Sequence, residues 1–486
     1  PSPTTAKGSD PATVAPASAA LYAAATVRPS GDMKDGVVAA ARKALRVKDP
    51  GGALRRLLDK DQSDGTLFSR DWEPWLGDRI GFFLLMPVEG SGDPDWAGAA
   101  SIADRGAFDD ALARMRSNGA RREAGSYRGV RYYRVRGDDA NDYAAAIEDF
   151  YVEGSLRGLR AAIDATRGDS LANAARFADA IHAVPDDALA FLYADPKAVV
   201  ASLRRAPGVP PASLRPLARL AESDPIVASL TANADEIAIE GSVSSKLVKT
   251  SASDAEVSVG QLPGDAWLAL ATPPIGPLVK RALDAAGVHD QAAAQVRANL
   301  GLDLDSDLLD SLGGLGLFVR GESPLDIGGG ALLQMTDAAA AQRLLTRIEA
   351  IVGAGAGIPT RPIEAGGARG FQLQIPQSPQ PIVVLAKGDR LAAGYAASSA
   401  QDLLDPQQRF DQSSTGKAAI DTLGAGYTPS FVLIVPPLAG LLRSLDQLQV
   451  ADLSSVLPYV NAYRSLAIGT KQDGDRTAVR IVAALR

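Results

Sequence analysis

Cysteine is absent from the 486 residues. Its absence excludes disulfides, thiolate nucleophiles, iron–sulfur clusters and cysteine-ligated zinc, and it is compatible with either side of a membrane. Histidine is nearly absent: the chain has two, His182 and His289, far apart in sequence. A Ser-His-Asp triad therefore has few ways to be built, and no G-x-S-x-G elbow with a downstream histidine is present. Aromatic residues make up 5% of the chain, so the core is expected to be Ala, Leu, Val and Ile. No apolar run reaches the 18 residues a bilayer span requires. A basic excess is missing too. Net charge is −7 and the pI is near 5.2, which argues against nucleic acid as a partner. Arginine outnumbers lysine 38 to 12, a ratio that reads as the codon bias of a GC-rich genome.

What is present is a large apolar fraction, 46%. It is enough for a substantial core and excludes disorder over most of the length. Residues 1–16, PSPTTAKGSDPATVAP, are the exception. Rich in Pro, Ser, Thr and Ala, they are expected to form a flexible tether, either the remnant left when a signal or anchor segment has been cut away or an ordinary interdomain linker.

The most informative stretch is LFSRDWEPWLGDRIGFFLL, Leu67 to Leu85. Asp71 is expected to cap a short helix, with Pro74 tolerated in its first turn. Trp72, Trp75 and Leu76 would share one helical face, and Gly77 would end the turn at positive φ. Arg79 to Met86 reads as the strand that follows. The carboxylates Asp71, Glu73 and Asp78 beside tryptophans invite a sugar-hydrolysing reading. The competing reading is a capped turn anchored in the core, and a second copy of the stretch favours it. DSDLLDSLGGLGLFV, Asp305 to Val319, places Asp307 on Asp71, Gly313 on Gly77 and Phe318 on Phe82, with Leu309 replacing Glu73 and Gly314 replacing Asp78.

The copying extends along the chain. MTDAAAAQRLLTRI (from Met335) matches IADRGAFDDALARM, with Asp337 on Asp104 and Arg347 on Arg114. Tyr127-Arg128-Gly129-Val130 falls on Ala368-Arg369-Gly370-Phe371, and the strands at 144–153 recur at 381–395. Helix 105–118 is expected between strands 96–103 and 120–125; strands are also expected at 17–27, 188–193, 226–243 and 247–259, with a helix after the proline-rich stretch 207–216. The chain thus reads as α+β, two tandem similar repeats. Each would be a mainly antiparallel sheet with helices packed on one face. The divisions are a tether at 1–16, a first repeat at 17–260 and a second at 261–486.

Three stretches carry a resemblance: LYAAATVRPSGD (Leu21 to Asp32), DWEPWLGDRIGFF (Asp71 to Phe83) and DFYVEGSLRGLRAAIDATRGDSLAN (Asp149 to Asn173). Together they are similar to an uncharacterised family of actinobacterial envelope proteins, a domain of unknown function. The resemblance implies a surface-exposed domain behind an N-terminal transmembrane or lipoprotein segment. It supplies no catalytic residues.

Candidate chemistry is sparse. The run LDLDSDLLD, with Asp303, Asp305, Asp307 and Asp310, fails as an EF-hand because Leu308 and Gly314 stand where Gly and Glu are needed. The glycine clusters at 313–316, 328–330 and 353–357 do not continue as phosphate loops. YRGVRYYRVR alternates Arg128, Tyr132, Arg134 and Arg136 against Arg131 and Tyr133, a solvated strand face or a contact for anionic envelope polymer. No residue is assigned a catalytic, cofactor-binding or metal-binding role, the ligand-binding residues are unknown, and no cofactor is expected. The expectation is a non-enzymatic, extracytoplasmic binding module, with a lipid or other apolar ligand, an envelope protein or a glycan as partner. Its contact with membrane would be through the removed anchor. The alternatives are a cell-wall or glycan hydrolase and a structural protein-interaction scaffold.

Overall fold

The computed structural model describes residues 10–60, 66–87, 94–136, 142–204, 221–245, 256–355, 359–376 and 378–486. Contacts divide the chain into two compact units. The first runs to Lys249 and takes in Gln472–Val479 at the tip of the last hairpin. The second is Thr250–Lys471 with Arg480–Arg486.

In the first unit the strands are β1 (Leu21–Thr26), β2 (Leu76–Leu85), β3 (Asp95–Ile102), β4 (Arg121–Tyr127), β5 (Val130–Val135), β6 (Asp142–Ile147), β7 (Phe150–Ser155), β8 (Ala190–Ala194), β9 (Ile226–Ala232) and β10 (Glu236–Ser244). Antiparallel pairing orders them β10-β9-β8-β1-β2-β3-β7-β6-β5-β4. Of the expected strands at 226–243 and 247–259, the first is itself a hairpin, β9 and β10, broken at Asn233–Asp235. Residues 247–255 and the helix expected after Pro216 lie outside the described residues, and 256–261 hold no strand.

The second unit contains β11 (Leu268–Ala271), β12 (Leu312–Arg320), β13 (Gly328–Met335), β14 (Thr360–Ala365), β15 (Ala368–Leu373), β16 (Ile382–Lys387), β17 (Arg390–Tyr395), β18 (Thr428–Ile434) and β19 (Tyr463–Asp473), with β20 (Arg476–Leu485) shared between the units. Its antiparallel order is β19-β18-β11-β12-β13-β17-β16-β15-β14. Element for element, this is the order β9-β8-β1-β2-β3-β7-β6-β5-β4 of the first unit. Register agrees as well: Ala23 faces Phe82, and Ala269 faces Phe318.

Helices cover both faces of each sheet, not one. Strand alternation explains why. Ala99, Val152 and Ala145 point to the helix Leu156–Ala165, whose Leu159, Ala162 and Ile163 are fully buried. Their neighbours Ala100, Tyr151 and Ala144 point the other way, to Phe108 and Ala111 of the helix Arg105–Ser117. The second unit does the same with Ala397–Leu404 and Ala338–Gly355. Both 105–117 and 338–355 open on a capping aspartate: Asp104 accepts from Ala107 N–H at 2.9 Å and Asp337 from Ala340 N–H at 2.7 Å.

Three expectations need correction. Residues 10–16 are no tether. Asp10 caps a short turn, accepting from Ala12 N–H at 3.0 Å, and Ala12, Val14 and Ala15 are wholly buried in the core with Tyr22 and Phe83. Small apolar side chains let this segment pack although its composition looks like a linker's. The hairpin match is displaced by three residues. The β4–β5 turn is Arg128-Gly129 and the β14–β15 turn is Gly366-Gly367, all four at positive φ, so Arg369 and not Gln372 corresponds to Arg131. Gly77, finally, lies in β2 without positive φ. A Cβ there would come within 2.4 Å of Ser101 Oγ, so close packing is what requires glycine.

Candidate functional site

The tryptophan stretch forms a π-type turn, Phe68–Trp72, leading into β2. Asp71 does not cap forwards. Its carboxylate, fully buried, reaches back to Leu67 N–H at 3.0 Å and is held by Arg70 at 2.6 Å and Arg114 at 3.3 Å. Burial raises its pKa, but the two guanidiniums and the Leu67 N–H more than offset that and hold it below the usual carboxylate range. Glu73 is paired with Arg55. Trp75 packs edge-on to Phe108 and Tyr151. Behind them Arg121, 2% exposed, donates to Tyr151 Oη and to Glu153, both at 2.9 Å. Of the three carboxylates, Asp71 is buried against arginines, Glu73 is ion-paired at the surface and Asp78 is exposed at the start of β2.

The acidic run is also internally committed. Asp303 accepts from Asp305 N–H and Ser306 N–H and pairs with Arg297 at 2.6 Å. Asp305 takes Lys280 at 2.8 Å and His289 at 3.2 Å. Hydrogen bonding to Asp305 raises the pKa of His289, and that of Lys280, while Asp305 is lowered chiefly by Lys280. Among the described residues no three such side chains are grouped to hold a metal. The described glycines of the three clusters lie in β12, β13 and the helix 338–355. In YRGVRYYRVR, Arg128 is a turn residue ion-paired with Asp164 at 2.9 Å, and Tyr132 and Tyr133 are buried. A Ser-x-x-Lys spacing, Ser414 to Lys417, opens a helix where Lys417 is tied to Asp421 at 3.1 Å.

The second unit holds a cleft of about 320 Å³, lined by Pro263, Gly264, Asp265, Arg320, Asp402, Pro406, Gln407 and Gln408. Four parts of the fold meet there. Asp265 precedes β11, Arg320 ends β12, Asp402 sits on the helix Ala397–Leu404, and Pro406 to Gln408 follow that helix. Arg320 organises the floor. One of its nitrogens, Nη1, donates to Asp402 at 2.7 Å and to Asp265 at 3.1 Å, while Nη2 reaches Ser399 Oγ at 3.3 Å. Its guanidinium also lies 5.5 Å from the centre of the Phe318 ring. A Cβ at Gly328 would stand 3.0 Å from Arg320 Nε, so glycine leaves the arginine its path. Burial works against the charge of Arg320, but the two aspartates raise its pKa above the ordinary value.

This arrangement fixes a polar surface in place. Both aspartates bond the same nitrogen, so their oxygens are closer together than the sum of those two distances. Each aspartate holds the arginine through one of its two oxygens, Oδ2. The remaining oxygens, the amides of Gln407 and Gln408 and the proline rings suit a ligand rich in hydroxyl or amide groups. Sequence reasoning missed every one of these residues. Asp265 and Asp402 lie 55 and 82 positions from Arg320, and no local pattern links them.

No curated protein matches the chain. Among solved structures, three crystal forms of TP0453 are similar over part of it. Two are 12% identical, each covering 57% of this chain and 87% of that one, with TM-scores of 0.27 and 0.28; another is 13% identical over 50% and 83%, with a TM-score of 0.27. A family model described as a protein of unknown function, DUF3352, matches residues 54–484. On that match, which takes in the first unit from residue 54 onward and all but the last two residues of the second, the chain belongs to the DUF3352 family.

Proposed function

We propose that this chain is a non-enzymatic binding module that works outside the cytoplasm of an actinobacterium, attached to the membrane by a segment preceding the sequence, and that its two units arose by duplication of one αβ unit. Identical strand order, matching register and the paired helix caps support the duplication. The location rests on the resemblance of Leu21–Asp32, Asp71–Phe83 and Asp149–Asn173 to envelope proteins.

The observation that carries the binding reading is the Arg320 cleft. Its volume is in the range of small-molecule sites, and its charged groups satisfy one another, as a preorganised recognition surface requires. A glycosidase needs one carboxyl group free to give a proton and another free to attack or to activate water; Asp265 and Asp402 instead share one nitrogen. The ligand this lining suits is polar, a glycan or a similar hydroxyl-bearing envelope component, more than the apolar molecule expected from composition.

Titration of soluble cell-wall glycan fragments into the protein by calorimetry tests this, with new reducing ends assayed in parallel. Saturable binding without new reducing ends is expected. Turnover of the fragments, or heats no different from dilution, would refute the proposal.

A further inference from the structure

The helix Pro50–Lys60 in the first unit is amphipathic and has no buried residue. It is docked by its polar side. Arg55 pairs with Glu73, and Asp59 accepts from Ser69 N–H at 2.9 Å. Leu54 and Leu57, one turn apart on another side, are 56% and 58% exposed. Amphipathic helices on soluble domains normally turn the apolar stripe to the core. Here the ion pair and the turn contact hold the leucines outward.

Charge around the helix is equally one-sided. From Arg28 to Lys60 the chain carries nine Lys and Arg against four Asp, although the whole protein is at −7. Lys48, Arg56 and Lys60 are exposed, and Leu45, 56% exposed, ends the preceding helix Gly31–Leu45. In the second unit the helix Ile275–Ala286, which occupies the place of Gly31–Leu45, also exposes apolar side chains beside cations: Leu278 and Val279 are 44% and 40% exposed, next to Lys280 and Arg281. Outward leucines bordered by cations match an anionic lipid surface, where the apolar side enters the headgroup boundary and the cations meet the headgroups.

We infer that the helix Pro50–Lys60 docks the first unit on an anionic membrane surface, with Leu54 and Leu57 as the inserted side chains. The inference is independent of the Arg320 cleft and of its ligand. It is tested by sedimenting the full chain with vesicles of equal phosphatidylglycerol and phosphatidylcholine, and with phosphatidylcholine alone. Wild type is expected to pellet with the anionic vesicles and to be released by salt. Leu54→Gln with Leu57→Gln should lower the partition at least about tenfold and leave thermal unfolding unchanged, because both side chains are exposed. Arg56→Gln with Lys60→Gln should weaken binding to the anionic vesicles. Absence of wild-type binding to anionic vesicles would overturn the inference, as would equal binding by the leucine variant. Self-association abolished by the leucine variant would overturn it too, assigning the face to a second copy of the chain.

Discussion

Asp71 and Asp307 perform the same backward reach in the two units. Each carboxylate accepts the backbone N–H of the residue four positions earlier, Leu67 at 3.0 Å and Asp303 at 2.9 Å. Each closes a π-type turn that leads towards the second strand of its unit. The likeness ends at the backbone. Asp71 is fully buried and holds two arginines, whereas Asp307 is exposed.

Removing the two carboxylates should therefore have unequal effects. Asp71→Ala removes the buried carboxylate that accepts from Arg70, Arg114 and Leu67 N–H and is expected to cost about 3 kcal/mol through those charge-assisted bonds. Asp307→Ala loses a solvent-accessible hydrogen bond, costing about 1 kcal/mol. Urea unfolding followed by circular dichroism measures both, and equal losses would contradict the assignment. The folded-state pKa of Asp71 is depressed, so its contribution is present above the unfolded value and is lost as pH falls through the folded one. Asp71→Asn should flatten the acid limb of the stability curve.

His289 titrates in the opposite sense. Asp305 raises its pKa, so the pair's contribution is complete below the unfolded histidine value and disappears as pH rises through the higher folded one. With two histidines in the chain, proton NMR resolves the titration. The His289 midpoint should lie above the ordinary value and drop in Asp305→Asn. A midpoint indifferent to that substitution would show that the contact is not formed in solution.

The buried Arg121 and Tyr151 form one network with the half-buried Glu153, in which Tyr151 Oη also donates to Glu153 at 2.6 Å. Arg121→Met should cost about 2 kcal/mol by removing the charge-assisted bonds to Tyr151 and Glu153. Tyr151→Phe, which removes hydrogen bonds to charged groups, should cost about 2 kcal/mol. Burial, followed by the nearby Glu153 charge, drives the Tyr151 pKa well above its ordinary value, and burial does the same to Tyr22. In an alkaline absorbance titration both phenols should stay protonated until the chain unfolds. Ionisation of Tyr151 in the folded protein would place its ring in solvent.

The sequence made local features legible where the physics is local. Asp104 and Asp337 announce helix starts, and alternation marks most of the strands. It misled where two local solutions look alike. Arg-Gly occurs at both 128–129 and 369–370, yet the second unit turns at Gly366-Gly367, which also supplies two positive φ angles. A Pro- and Ala-rich run such as 10–16 has the composition of a linker, and its burial depends on β2, β3 and the turn Leu171–Asn173 lying against it, which no local pattern reveals. Arg121 reads as a strand's surface residue until Tyr151 and Glu153 are beside it. The Arg320 cleft lay beyond reach for the same reason: Asp265, Arg320 and Asp402 meet through sheet order and helix placement, each in an unremarkable local setting.

The most direct test is native mass spectrometry of the wild-type and Arg320→Met proteins, purified side by side from the native host. Wild type should carry a polar, hydroxyl-bearing molecule that Arg320→Met lacks, with both proteins folded by circular dichroism. An empty wild-type protein, or the same molecule retained by Arg320→Met, would contradict the assignment of this cleft as the binding site.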